Sequence, residues 1–310
     1  MSDNAIEVRG LVKSFGAVHA LQGLDLLVPT GGVTGFLGPN GSGKTTTIRI
    51  VLGLIRADAG RVSLLGGDPW TQAVALHKRL AYVPGDVALW PNLTGGAIID
   101  VLGALAGGLE PARKAAMIER FQLDPTRKAG TYSKGNRQKV ALVAALASRV
   151  ELLVLDEPTS GLDPIMEAEF QAVIREVKAE GRSVLLSSHI FAEVETLADQ
   201  VAIIREGRTV EQGTLASLRH LARTQVRVGL DDPARAIALP GTHAARVEGR
   251  EAVFDVDAAD LPAVLAGLAP LGPSSLVANP PSLEEIFLSH YADELGDAGV
   301  AAAPIESGTK

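Results

Sequence analysis

The chain has 310 residues, no cysteine, 46% hydrophobic and 21% charged residues, and a formal net charge of -7. That length suits about two ordinary domains with ample core. The lack of cysteine excludes a disulfide framework, a thiolate zinc site and a cysteine nucleophile.

The charge is uneven: residues 225–310 hold 13 acidic and 5 basic residues, leaving 23 acidic and 24 basic in 1–224. Neither segment concentrates the positive charge that displaces counterions from phosphates, so no nucleic-acid partner is expected. No run reaches the ~18 uninterrupted apolar residues that span a bilayer. The strongest, 140–155, is broken by Arg149 and Glu151. The opening MSDNAIEVRG lacks the basic start and apolar run of a signal peptide. These features predict a cytosolic chain that reaches a membrane only through a partner.

Along the chain, the first strong element is Val33-Thr34-Gly35-Phe36-Leu37. It is apolar on both faces, as a buried parallel strand requires. It runs into Gly38-Pro39-Asn40-Gly41-Ser42-Gly43-Lys44-Thr45, which matches G-x-x-x-x-G-K-[ST], and a helix is predicted from near Thr45 through Thr46 onward. In such a loop, glycines let backbone N–H groups converge on phosphates, and the helix turns its positive N-terminal pole toward the same anion. Lys44 is placed to neutralise the β- and γ-phosphates, and the Thr45 hydroxyl to ligate Mg²⁺.

Residues 85–130 carry helical patterns at Ala97–Leu109 and Pro111–Phe121 without a clear strand, and read as a helical insertion. Val140, Val143, Ala144 and Ala147 recur at helical spacing. The apolar run Leu152–Leu155 then leads into Asp156-Glu157. Two carboxylates at the end of a buried strand stand where an open α/β sheet builds its ligand crevice. Asp156 suits a magnesium site, and Glu157 suits orienting or deprotonating a water. Val184–Leu186 and Val201–Ile204 are further strand-like runs, with Ile190, Val194, Leu197 and Val201 at helical spacing between them. The alternation predicts an α/β domain with a mostly parallel sheet over 1–224.

Past 224 the pattern changes. A strand is predicted at Val226–Leu230, a hairpin over 244–257 turning at Gly249-Arg250, a helix at Leu261–Leu268, a strand at Ser275–Ala278 and a helix at Ser282–Tyr291. This suggests a small α+β domain over 225–292, in the order βββαβα. The Ala-, Gly- and Asp-rich tail 293–310 is expected to be disordered.

Beyond the phosphate loop, an ordered set of motifs resembles the nucleotide-binding subunit of an ABC transporter over about 1–220. Tyr132-Ser133-Lys134-Gly135-Asn136-Arg137-Gln138 resembles the LSGGQ signature, upstream of LLVLDEP. Ser160-Gly161-Leu162-Asp163 resembles the D-loop, His189 stands where the switch histidine belongs, and Phe15 occupies the position of the adenine-stacking aromatic. The resemblance implies a P-loop ABC ATPase domain with a helical signature insertion. It also implies two copies, or a copy and a homologous subunit, facing head to tail around ATP. Ser133 and Gly135 would then meet the γ-phosphate bound by the partner's phosphate loop, Asp163 would link the two sites, and His189 would sense the γ-phosphate.

Two motifs depart from the family pattern. Gly85 stands where the Q-loop glutamine is expected, after Tyr82-Val83-Pro84, so Asp86 either replaces it at Mg²⁺, reports to the membrane partner, or belongs to a simple turn. In the signature, Tyr132, Lys134 and Asn136 replace Leu, Gly and Gln.

Near the C-terminus, Pro281-Ser282-Leu283-Glu284-Glu285-Ile286-Phe287-Leu288 resembles the element closing the ATPases of bacterial drug and antibiotic exporters of the daunorubicin and tetronasin type. It also reads as an amphipathic helix opened by a Ser282–Glu285 capping box. The expectation is an ATPase on the cytoplasmic face of the cell membrane that powers export through a separate permease docked on the helical insertion. The rivals are a soluble ABC ATPase and a catalytically weak regulatory ATP-binding module.

Overall fold

The computed structural model describes residues 3–219 and 223–287. The chain divides into two units, Met1–Leu215 and Ala216–Lys310. The division falls before the change of sequence pattern at 224 because the last strand of the first unit ends at Thr214 and a short helix begins at Leu215.

The first unit contains, in order, β1 (Asn4–Phe15), β2 (Val18–Pro29), β3 (Val33–Leu37), α1 (Lys44–Val51), β4 (Ala59–Leu64), α2 (Ala73–His77), β5 (Leu80–Val83), α3 (Gly95–Leu105), α4 (Pro111–Arg120), α5 (Lys134–Ala147), β6 (Leu152–Asp156), α6 (Pro164–Ala179), β7 (Ser183–Ser188), α7 (Phe191–Leu197), β8 (Gln200–Arg205) and β9 (Arg208–Thr214). Six strands form one sheet in the order β5-β6-β7-β3-β8-β9. Its pairs are parallel except β8 with β9. Every residue of β3, β6 and β7 is buried, which explains why these strands read as unbroken apolar runs. Because β3, β5, β6 and β7 run in parallel, the loops at 38–43, 84–86, 157–160 and 189–190 all leave one edge of the sheet.

A second, antiparallel sheet in the order β2-β1-β4 supplies the other wall of the core. Ile6, Val8, Leu24 and Leu26 from it pack in one cluster with Phe36, Ile48, Val51, Val154 and Leu185. Each such side chain contributes about 1.5–3 kcal/mol by leaving water. The sequence pattern does not announce this sheet, because register shifts at Val8/Leu11, Leu11/Val12 and Lys13/Ser14 interrupt the alternation of period two.

The helical insertion is present as α3 and α4. The first of these stops at Leu105 rather than Leu109, where Gly107 and Gly108 take positive φ. The four-residue stripe at 190–201 is corrected at both ends. Ile190 is the exposed residue preceding α7, and Val201 lies in β8, paired with Gly35. The helix ends because Asp199 turns to accept the Val33 N–H at 3.0 Å, which starts the strand instead.

The second unit opens with α8 (Leu215–Arg219), which begins on the last residue of the first, and continues with β10 (Thr224–Gly229), α9 (Ala234–Ile237), β11 (Thr242–Glu248), β12 (Glu251–Val256), α10 (Leu261–Leu268) and β13 (Ser275–Asn279). Its strands pair antiparallel in the order β11-β12-β10-β13. The one-turn α9 was not foreseen. With it, β10 to β13 follow the split βαβ arrangement, strand-helix-strand-strand-helix-strand. Val226, Val228, Phe254, Val256, Val264 and Leu268 form its core.

The capping box is present: Glu285 N donates to Ser282 Oγ at 3.1 Å and Ser282 N to Glu285 Oε2 at 2.8 Å. Leu283 and Ile286 are fully buried. The rest of the expected helix to Tyr291 and the tail 293–310 lie outside the described residues. Among the described residues, no helix is long and apolar enough to cross a membrane.

Candidate active site

The phosphate loop joins β3 to α1 at the sheet edge. Pro39, Asn40 and Gly41 are exposed, Gly38, Ser42 and Lys44 are buried, and Thr45 and Thr46 are half-buried at the start of α1. Gly43 precedes the helix with φ 111°, and a Cβ there would lie 2.7 Å from Leu21 Cδ2 and 2.9 Å from Ala20 O, so only glycine fits. Lys44 Nζ folds back onto the loop, donating to Gly38 O at 2.6 Å and Pro39 O at 3.3 Å. Buried Ser42 Oγ has no hydrogen-bond partner. An anion seated in the loop would answer that hydroxyl and the free N–H groups of α1.

Three strand ends converge on the loop. Asp156 closes β6, where its Oδ2 accepts from Thr45 Oγ1 at 3.0 Å and its Oδ1 from Ser187 Oγ at 2.5 Å. Glu157 follows with φ 50°, a left-handed conformation that few non-glycine residues adopt. Its N–H is held by Ser187 O at 3.1 Å and Ser187 Oγ at 3.2 Å. The turn throws its carboxylate toward the loop: Oε1 lies 3.4 Å from Lys44 Nζ, and Oε2 lies 2.5 Å from His189 Nδ1. Tyr82, near the end of β5, has its phenol pushed up to about 12 by burial and by the Asp156 charge, so it stays neutral beside the carboxylates.

Thr45 and Asp156 present a hydroxyl and carboxylate oxygens side by side, hard donors that suit Mg²⁺. No hydrogen bond or ion pair joins Asp86 to either of them among the described residues, and no group of three His, Asp or Glu side chains converges there. Asp86 is exposed. Gly85 has a local reason to be glycine: a Cβ there would lie 3.2 Å from Asp156 O and 3.4 Å from Glu157 Cβ.

The signature begins α5. Ser133 is its N-cap, accepting from Asn136 N at 3.3 Å. The segment leans on the D-loop of its own chain. Lys134 Nζ donates to Ser160 Oγ at 2.8 Å, Gln138 Nε2 to Pro158 O at 3.0 Å, and a Cβ on Gly135 would fall 2.3 Å from Gly161 O. Asp163 caps α6 through Ile165 N at 3.1 Å and Met166 N at 3.0 Å.

Tyr132, the largest departure in the signature, is buried and donates its hydroxyl to Asp124 O at 2.5 Å. Gly95 makes room, since a Cβ there would lie 2.4 Å from that hydroxyl. Among the described residues, no hydrogen bond links Ser133 or Gly135 to the phosphate loop. Phe15 ends β1 half exposed, with Lys13 Nζ 5.3 Å from its ring centroid.

Residues 21–160 match the ABC transporter family. The daunorubicin resistance ATP-binding protein DrrA3 of Streptomyces coeruleorubidus is 34% identical over 309 residues, 95% of this chain and 98% of that protein. The chain belongs to the ABC transporter ATP-binding protein family. It is an ABC-type ATPase coupled to transport, and its cassette binds ATP.

Other relatives of this ABC ATPase bracket its subfamily. The daunorubicin/doxorubicin resistance protein DrrA of Streptomyces peucetius is 36% identical over 74% of this chain and 71% of that protein. The iron(III) import ATP-binding protein FbpC of Pseudomonas fluorescens is 40% identical over 68% of this chain and 61% of that protein. A solved ATP-binding subunit of an ABC transporter is 30% identical, covering 70% of this chain and 92% of its own, with a TM-score of 0.65.

Two buried polar side chains of the ABC ATPase near these residues escaped the sequence reading. Ser187 Oγ donates to the Asp156 carboxylate and accepts from the Glu157 backbone N–H, and buried Glu193 accepts from Ser188, the residue before His189. The signal for each was a polar residue inside an apolar segment, the pattern that marks a buried polar group with a partner.

Proposed function

We propose that this chain powers export of a drug, antibiotic or similar amphiphile through a separate membrane permease, as a dimer closed around two ATP. The observation that carries the export reading is coverage. The match to a daunorubicin resistance protein runs through 95% of the chain, whereas the match to the iron importer subunit covers 68% despite its higher identity of 40%. The closing Ser282–Phe287 element supports the same reading.

The placement of two sets of motif residues supports the dimer. Lys44, Glu157 and His189 face the phosphate loop. Ser133, Gly135 and Lys134 stand exposed or half-buried at the N-terminal pole of α5, available to a triphosphate held by a partner cassette. Asp163 caps α6 beside this second half-site, and Phe15 offers a half-exposed ring for adenine. ATP binding favours the closed pair, and loss of the γ-phosphate releases it.

Glu157 orients and deprotonates the attacking water, and His189 holds its carboxylate from the other side. Lys44 leaves the Gly38 and Pro39 carbonyls to neutralise the β- and γ-phosphates. Thr45 and Asp156 would hold Mg²⁺, and the ion would neutralise phosphate charge. The permease docks on the insertion, where an apolar groove of about 430 Å³ is lined by Leu54, Val74, Leu102, Leu105 and Ala141, among others. The chain thereby sits at the cytoplasmic face of the membrane.

The test is reconstitution with the cognate permease in inside-out vesicles. ATP-dependent accumulation of a fluorescent anthracycline supports export. Accumulation of ferric ion by right-side-out vesicles, without anthracycline transport, supports import and overturns the proposal.

A further inference from the structure

Glu193 is a carboxylate that the phosphate chemistry does not touch. It lies in the first turn of α7 at 8% exposure, so it is more than nine-tenths buried. Ser188 Oγ donates to its Oε2 at 2.7 Å, and the same Oγ accepts from Ile190 N at 3.0 Å. These two bonds bracket His189 on either side. The Thr159 hydroxyl also approaches the carboxyl, without completing a hydrogen bond to Oε1, which has no partner. Thr159 stands two residues past Glu157 and is itself buried. One carboxylate therefore adjoins the loop of each member of the Glu157–His189 pair.

Burying a carboxylate is costly, and an apolar residue of similar size would fill the space better. Desolvation raises the Glu193 pKa, and the charges of Glu157 and Glu167 raise it further. Such a group persists where its hydrogen bonds define a geometry. The His189 side chain is 49% exposed and hydrogen-bonds only Glu157 among the described residues. A side chain with so little packing is aimed by its backbone.

We infer that Glu193 is a positioning residue: by holding the Ser188 hydroxyl, it sets the turn 188–190 and so points the His189 imidazole at Glu157. The inference rests on the roles proposed above for Glu157 and His189.

The test uses the full chain with ATP as probe, reading kcat and KM from phosphate release and affinity from nucleotide binding. Glu193→Ala lowers kcat by about 10–100-fold at unchanged KM and affinity, the cost of misplacing a catalytic group by about 1 Å. Glu193→Gln keeps an oxygen for Ser188 and stays within about threefold of wild type. Ser188→Ala, with Glu193 intact, reproduces the loss. A crystal structure of Glu193→Ala shows the His189–Glu157 contact broken. The inference is overturned by retained kcat in Glu193→Ala or Ser188→Ala, by a KM that rises in step with the fall in kcat, or by a Gln variant as impaired as Ala. If Glu193→Ala does not fold, Ser188→Ala and Glu193→Gln decide between the outcomes. Full activity of His189→Ala would count against the proposed histidine role, while the crystal contact reports on positioning independently.

Discussion

His189 Nδ1 and Glu157 Oε2 meet at 2.5 Å, across the mouths of two adjacent parallel strands. The contact leaves Oε1 as the carboxylate oxygen nearest the loop lysine, 3.4 Å from Lys44 Nζ. A carboxylate held this way has one oxygen fixed and one facing the place where a γ-phosphate and its attacking water would lie.

Replacing Glu157 with Gln keeps the shape and removes the proton acceptor. Glu157→Gln is expected to slow phosphate release by about 10²–10⁴-fold, the usual share of general base catalysis, while ATP still binds. Unimpaired hydrolysis would reassign the base.

Lys44 is 5% exposed; among the described residues its ammonium donates to two carbonyls and pairs with the Glu157 carboxylate. Truncating a buried cation that faces phosphate costs about 2–5 kcal/mol, so Lys44→Ala is expected to weaken ATP affinity by about 30-fold or more. Titration with a fluorescent nucleotide checks this, and an unchanged Kd contradicts it.

Gly135 meets the D-loop backbone so closely that an added Cβ would lie 2.3 Å from Gly161 O. Gly135→Ala is expected to displace the D-loop and lower stability by about 1–3 kcal/mol through overpacking. ATP binding to the phosphate loop should survive while turnover falls. A stable variant with wild-type turnover would show that the contact yields easily.

The insertion is tied to α6 by Arg120, which bonds Glu169 and both oxygens of Glu176, at 2.6 and 2.9 Å for the latter. The Arg120 hydrogen bond is the main cause that lowers the Glu176 pKa below its ordinary 4.5. A carboxylate with a depressed folded pKa stabilises the protein above its unfolded pKa and loses that contribution as pH falls through the folded value. Arg120→Ala should therefore cost about 1 kcal/mol at pH 7, modest because the pair is partly exposed. The difference from wild type should shrink as pH drops below about 4.5. Urea denaturation at pH 7 and pH 3.5 measures it, and a cost independent of pH would assign the effect to lost packing.

Legibility in the sequence followed burial. Val33–Leu37 and Leu152–Leu155 could be read because both faces of each strand are covered, leaving no polar interruption. Lys44, Asp156, Glu157 and His189 could be placed at one edge because each follows such a strand. β1 and β2 could not be read, since bulges and half-exposed positions break their alternation. Val201 belonged to the strand-like run 201–204, which β8 bears out, and was extended into a helical stripe as well because four apolar residues fall at helical spacing across a helix end. Glu193 was missed because its partner, Ser188, lies five residues back across the end of β7 and the start of α7, a spacing that no motif marks.

The account depends on two chains completing each ATP site. Sedimentation of the Glu157→Gln variant with ATP and Mg²⁺, alone and with its permease, tests that most directly. The account predicts an ATP-dependent dimer that disperses when Ser133 is also replaced by a bulky residue. A particle that stays a monomer under saturating ATP in both settings would contradict it.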